Sequence, residues 1–301
     1  MRLLVVITIV IAIFGASAVL KVWLDAPEVD NDVPFIACGR LICLSPGITE
    51  TVFALGLGDR VAGVTRFCLY PPETALLPKV GGLLDPNYEA MVALRPDVAL
   101  LTPYHRDHLS ELRRLGVSCL VIHQDSLAEI RESYFQLGAL CGRLSEAEHL
   151  AALLDNAIEE ARRRSAGKPR IRVLMTTGRD VRSGKLDEVY AVSTGTFLSE
   201  LLALAGGANI IEGGLAEYPA LSAEGILNLN PEVIIELVPD RELDAEARDQ
   251  ALAPWRAFST VDAVRDKRLY VLSGAYLTIP GPRAVDTLDA LMDCLHGDSA
   301  I

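Results

Sequence analysis

Two of the five histidines and all six cysteines are the residues in this 301-residue chain whose types and spacing could carry chemistry. His105 and His108 form an H-x-x-H pair just after an apolar run, and i, i+3 spacing places two imidazoles on one helix face, as a metal requires. No third ligand accompanies them and Arg106 sets a cation beside the pair, so a solvated helix start is the better reading. The cysteines, at 38, 43, 68, 119, 141 and 294, form no C-x-x-C pair and show no metal-type spacing. Cys43 and Cys119 sit in strand-like runs and Cys141 and Cys294 in helical ones, where buried thiols are expected. A Cys38–Cys68 bridge stays open in an oxidising compartment. Enzyme signatures are missing: there is no G-x-S-x-G elbow, Walker loop or H-E-x-x-H. Gly56-Leu57-Gly58 fails as a dinucleotide fingerprint because Val61 takes the third glycine's place, and Ser45 with a distant histidine is not a triad. A net charge of −12 argues against a nucleic-acid partner.

The N-terminus points to export. Arg2 precedes an apolar run from Leu3 to Phe14 and then Gly15-Ala16-Ser17-Ala18, the pattern of a secretory signal peptide cleaved after Ala18. An uncleaved anchor is the alternative, since the apolar run extends to Leu20. No cysteine closes the run, so a lipid anchor is not supported. Residues 22–37 carry Asp25, Glu28, Asp30, Asp32 and two prolines, a solvated acidic linker.

From Arg40 onward short apolar runs alternate with helical patterns, which predicts an α/β fold with a mostly parallel sheet. Strands are expected at Leu41–Leu44, Arg60–Val64, Asp97–Leu101 and Ser118–Ile122, with helices at Thr49–Leu57, Tyr88–Leu94, His108–Leu115 and Leu127–Cys141. A long helix follows over Ser145–Ala166. Ser145 and Glu148 have the spacing of a capping box, Arg162–Arg164 suit the negative end of the dipole, and Gly167 and Pro169 stop it. Leu150, Leu153, Leu154, Ala157, Ile158 and Ala161 make its apolar stripe. Beyond it, strands are expected at Arg172–Met175, Asn209–Ile211, Val233–Leu237 and Leu269–Leu272, with helices at Thr196–Ala205, Ala223–Leu229 and Arg283–Leu295. The two halves repeat one another: Asn87-Tyr-Glu-Ala through Arg95-Pro96-Asp97 aligns with Ser222-Ala-Glu-Gly through Asn230-Pro231-Glu232, and Thr49-Glu50 with Ser199-Glu200. The expected plan is two Rossmann-like α/β lobes, 38–143 and 168–301, joined by a single long backbone helix, 144–167, after a leader (1–18) and a linker (19–37). The ligand cleft lies between the lobes, at the strand C-termini.

Taken in order, Arg40-Leu-Ile-Cys-Leu-Ser-Pro-Gly-Ile-Thr-Glu, Ala54-Leu-Gly-Leu-Gly-Asp-Arg-Val, Lys79-Val-Gly-Gly, Gly206-Gly-Ala-Asn-Ile, Tyr218-Pro-Ala-Leu-Ser-Ala-Glu and Pro280-Gly-Pro-Arg resemble the substrate-binding proteins of ABC importers for vitamin B12, iron-siderophores and haem. The resemblance runs from Arg40 to about His296 and is nearest the B12-binding branch. It implies a non-enzymatic, periplasmic, monomeric carrier with no intrinsic cofactor, whose ligand is cobalamin, a ferric siderophore or haem. Its partners would be an importer permease and that permease's ATPase. A membrane-tethered ligand sensor and a bare zinc- or manganese-binding protein, with His105 and His108 as ligands, are the other readings of the same fold. The resemblance makes Arg66 and Phe67, in the loop Arg66-Phe-Cys-Leu-Tyr-Pro-Pro, ligand-facing, together with Tyr218 and Tyr276; Tyr104 and Tyr190 are further aromatic candidates. Flat rings in such loops suit a large planar macrocycle. Leu83 stands where the enteric B12 binder has a tryptophan. Glu89 and Glu224, each the second residue of its repeat helix, are implied to dock on a two-fold symmetric permease.

Overall fold

The structure, a computed structural model, describes residues 38–179, 186, 189–214 and 216–297. The apolar N-terminal run, its Ala18 site and the acidic linker lie outside the described residues. The first lobe runs β1 (Leu41–Cys43), α1 (Pro46–Ala54), β2 (Val61–Val64), α2 (Tyr88–Ala93), β3 (Val98–Leu101), α3 (Leu109–Arg114), β4 (Cys119–Val121) and α4 (Leu127–Cys141). Its four strands are parallel, in the order β2-β1-β3-β4. The inner strands β1 and β3 are buried at every residue, as strands covered on both faces must be. Ile42, Leu44, Ala99 and Leu101 pack with Met91 and Leu112 into this lobe's core.

A single helix, α5 (Leu144–Ser165, 22 residues), then leads into the second lobe. At 1.5 Å per residue it is roughly 33 Å long. Ser145 does not cap it: the helix begins at Leu144 after Arg143, which makes no side-chain capping bond. The reason is the turn before it. Gly142 ends α4 in the left-handed conformation (φ 69°), so only two residues separate the helices and packing sets where α5 starts. A Cβ on Gly138 would stand 2.8 Å from that of Ala147, so α4 and α5 touch through a glycine. The buried stripe is Ala147, Ala151, Leu154 and Ala161, rotated from the expected one; Leu153 is exposed. The acidic start and basic end hold, with Glu146 in the first turn and Arg162–Arg164 in the last.

The second lobe runs β5 (Ile171–Thr177), β6 (Val189–Ala191), α6 (Phe197–Leu204), β7 (Gly207–Asn209), β8 (Ala220–Leu221), α7 (Ala223–Leu229), β9 (Val233–Val238), α8 (Ala245–Leu252), α9 (Asp262–Arg265), β10 (Leu269–Ser273) and α10 (Ala284–His296). Strands β10, β9, β5 and β7 pair in parallel, while β6 and β8 extend the sheet antiparallel. Glu236 sits inside β9 among fully buried neighbours. Two 2.6 Å bonds from Arg179 and one of 2.7 Å from the Trp255 indole satisfy its carboxylate, which lets a charge occupy a core strand.

Cys38 is bonded to Cys141, not Cys68 (Cα–Cα 5.3 Å), and ties the start of the first lobe to the end of α4. Cys68 is a buried free thiol held by Thr49 and Thr65, and Cys43, Cys119 and Cys294 are also unbridged. The bridge closes a loop of 103 residues. Cys141→Ser should therefore cost about 2–4 kcal/mol, and lower the melting temperature by roughly 4–16 °C. Calorimetry of the two proteins checks this, and an unchanged melting temperature would mean the bridge closes nothing that matters.

Candidate functional site

Every strand of the first lobe ends at one cavity of about 620 Å³, completed by Thr278–Pro280 from the second lobe. A smaller space of about 170 Å³ continues from it between the lobes and shares Tyr104, Gln124, Asp125, Thr278 and Pro280. After β1, Ser45 caps α1 by accepting from the Ile48 amide (3.3 Å), with Pro46 at the first helical position. This starts the helix three residues before the expected Thr49 and leaves Gly47 facing the cavity. After β2, the Arg66 amide donates to Gly81 O (2.9 Å), which fixes the loop that presents Phe67, 52% exposed. After β3, the His105 imidazole Nδ1 accepts from the Thr102 amide (3.2 Å) and fixes a 3₁₀ turn, Pro103–His108, that projects Tyr104, 57% exposed. After β4 come Gln124 and Asp125, just before a Ser126/Glu129 capping box opens α4. The second lobe adds Gly195–Phe197 and Glu217–Tyr218.

Phe67, Tyr104, Tyr218 and Arg66 are thus brought together around one continuous space, with Leu83 and Leu84 among its lining residues. Tyr276 flanks the Arg283 guanidinium (5.8 Å), and Tyr190 lies on β6 opposite Ala220; neither lines these cavities. Arg66 is held in a two-pronged pair with Asp85 (2.7 and 2.9 Å) and lies 5.0 Å over the Phe67 ring. Burial, with Asp125 and Glu217 nearby, raises the Tyr104 phenol, and burial with Glu217 first pushes Tyr218 up to about 12. Both phenols therefore keep their protons at neutral pH. The H-x-x-H pair serves structure: His105 is fully buried rather than solvated, its pKa lowered by burial, and His108 Nδ1 meets the Tyr88 hydroxyl at 2.6 Å. Among the described residues no group of three or more metal-ligating side chains gathers.

The lobes also touch directly at the cavity floor, a contact without a sequence signal. A Cβ on Gly47 would fall 2.1 Å from the Pro280 carbonyl oxygen, so only glycine admits this crossing. Beside it, Arg283 of the second lobe donates to both oxygens of Glu50 in α1 (2.9 and 2.6 Å) and lies 4.0 Å over the Tyr70 ring. The Glu50 side chain is 2% exposed, and burial raises its carboxyl against the opposing pull of Arg283.

Glu89 and Glu224 occupy matching places. Each is exposed in the first turn of its helix, behind a capping residue, Asn87 or Ser222, that accepts from the amide of Ala90 or Gly225. Each follows a cavity-lining residue by a few positions, Asp85 and Tyr218 respectively, so both helices start near the cleft.

Two α/β lobes, one long connecting helix and an aromatic-walled space between them define a bilobal ligand-binding protein. Residues 41–276 match the periplasmic binding protein family, and the chain belongs to that family, whose members bind substrates and do not transform them. A vitamin B12-binding protein from Vibrio cholerae is 26% identical over 258 residues, 83% of this chain and 86% of that protein. An uncharacterized ABC transporter substrate-binding lipoprotein from Bacillus subtilis is 25% identical over 272 residues, covering 86% and 81%. The crystal structure of the periplasmic vitamin B12 binding protein of Vibrio cholerae superposes with a TM-score of 0.73 at 25% identity, over 85% of this chain and 96% of that one. A periplasmic heme binding protein from Pseudomonas aeruginosa shares the fold (TM-score 0.74, 24% identity, 87% and 94% covered).

Proposed function

We propose that this chain is the exported substrate-binding protein of an ABC importer, capturing a corrinoid or iron chelate between its lobes and delivering it to a permease driven by an ATPase. The observation that carries the reading is the interlobe space itself, into which Phe67, Tyr104 and Tyr218 project from strand-terminal loops of both lobes. Protonated phenols and a phenyl ring supply flat contact area at low entropy cost, which suits a macrocyclic chelate. The names of the relatives, B12-binding and ABC substrate-binding proteins, support the same class. The A-x-A site after the apolar N-terminus supports export with cleavage after Ala18.

Titration of the purified protein with cyanocobalamin, a ferric hydroxamate and haem tests the reading. One of them should bind at micromolar concentration or below. Phe67→Ala and Tyr218→Ala should each weaken that ligand by roughly thirtyfold, the usual cost of truncating a central aromatic anchor, with the circular dichroism unchanged. Unchanged titration curves for both variants would place the binding site elsewhere, and no binding of any chelate would defeat the proposal.

A further inference from the structure

Gln124, after β4, lines both parts of the interlobe space yet is only 2% exposed. Its amide orientation is settled by its neighbours. Nε2 donates to Thr51 Oγ1 (3.3 Å) and Ser133 Oγ (3.2 Å). Those hydroxyls spend their own hydrogens on the carbonyls of Gly47 (2.8 Å) and Ile130 (2.6 Å), so they offer Gln124 only lone pairs. The nitrogen must face them, and Oε1 must face away. No group among the described residues donates to Oε1. A Cβ on Gly47 would stand 2.8 Å from that oxygen, so Oε1 lies in space that any larger residue at 47 would take. A buried carbonyl oxygen without a donor is a standing free-energy cost that a ligand N–H removes.

The charges around it have the same sense. Among the described residues, the space is lined by three carboxylates, Asp85, Asp125 and Glu217, and one guanidinium, Arg66, which Asp85 already engages. Asp125 from one lobe and Glu217 from the other are left, both acting on Tyr104 and Tyr218. We propose that the cleft selects chelates fringed with neutral N–H donors, carboxamides above all, over chelates fringed with carboxylates. Gln124 Oε1 accepts from one such amide, and Asp125 and Glu217 repel a carboxylate in its place. The inference rests on the interlobe space being a chelate site, and it narrows the chelate to an amide-bearing one.

Two corrinoids with the same ring and metal isolate the fringe: dicyanocobinamide, whose ring side chains are amides, and dicyanocobyrinic acid, whose side chains are carboxylates. The native protein should bind the amide roughly a hundredfold more tightly or better. Gln124→Met should weaken cobinamide by roughly tenfold and leave the acid unchanged. Asp125→Asn with Glu217→Gln, both at exposed positions that spare the fold, should narrow the preference by roughly tenfold. Binding of the two corrinoids within threefold, tighter binding of the acid, or a preference unmoved by the double variant overturns the selection while leaving the chelate cleft standing. If neither corrinoid, haem nor a ferric hydroxamate binds, the chelate reading falls and this inference with it.

Discussion

Cells whose only copy carries Glu89→Ala and Glu224→Ala together should take up almost no ligand, while the purified double variant should bind it within roughly threefold of the native protein. The two acids are exposed, sit in equivalent first turns of the repeat on separate lobes, and line neither of the two interlobe spaces. A permease of two-fold symmetry that offers one cation to each would be engaged at both ends by a single approach. Truncating one partner of a desolvated interfacial charge pair weakens binding roughly thirtyfold or more, much of it from stranding the other charge. Each single variant should therefore depress uptake and permease binding, and the two losses should compound. Both side chains point to solvent in the isolated protein, so its stability should change only by the small contribution of a first-turn acid to the helix dipole. Full uptake by the double variant would reduce Glu89 and Glu224 to ordinary helix-start residues.

Arg283→Met should destabilise the folded chain strongly. It leaves Glu50, 2% exposed, without the partner that holds both its oxygens at the lobe contact. Removing one member of a buried pair costs about 3–5 kcal/mol, a drop in melting temperature of roughly 6–20 °C for a domain of this size. The stranded Glu50 can shed part of that cost by taking up a proton, since burial already raises its carboxyl. Replacing both residues, Glu50→Leu with Arg283→Met, should cost less than Arg283→Met alone because no charge is then stranded. The same contact bears on motion: α5 and the Gly47–Pro280 crossing both resist separation of the lobes. Scattering with and without ligand should show little change in the native protein. Melting of Arg283→Met within a degree of native would mean the pair is incidental.

The parts of the fold that the sequence shows are those written locally. Asn87 and Ser222 before their helices, and Pro96 and Pro231 before their strands, mark the repeat because caps and prolines act over a few residues. The same local logic misplaced the start of α5: Ser145 and Glu148 have the spacing of a capping box, but the turn at Gly142 and packing on Gly138 override it. Strands β6 and β8, three and two residues long, are too short for a period to register, so Tyr190 could not be assigned to a strand. Long-range pairings left no trace. Cys38 meets Cys141 across 103 positions and Glu50 meets Arg283 across 233, and nothing in the spacing selects either partner. The family resemblance points to Phe67 and Tyr218, along with Tyr276, and Tyr104 and Tyr190 are further aromatic candidates, whereas Gln124 carries no motif. Only the bonds from its amide nitrogen to Thr51 and Ser133 show which way its oxygen faces.

The most direct test of the interlobe cleft as a chelate carrier is what the protein holds when isolated from its native compartment. The absorption spectrum and mass of the co-purifying molecule should reveal a corrinoid or iron chelate at near one per chain, lost when Phe67 and Tyr218 are both changed to alanine. A non-chelate small molecule retained at the same ratio by both proteins would contradict the account.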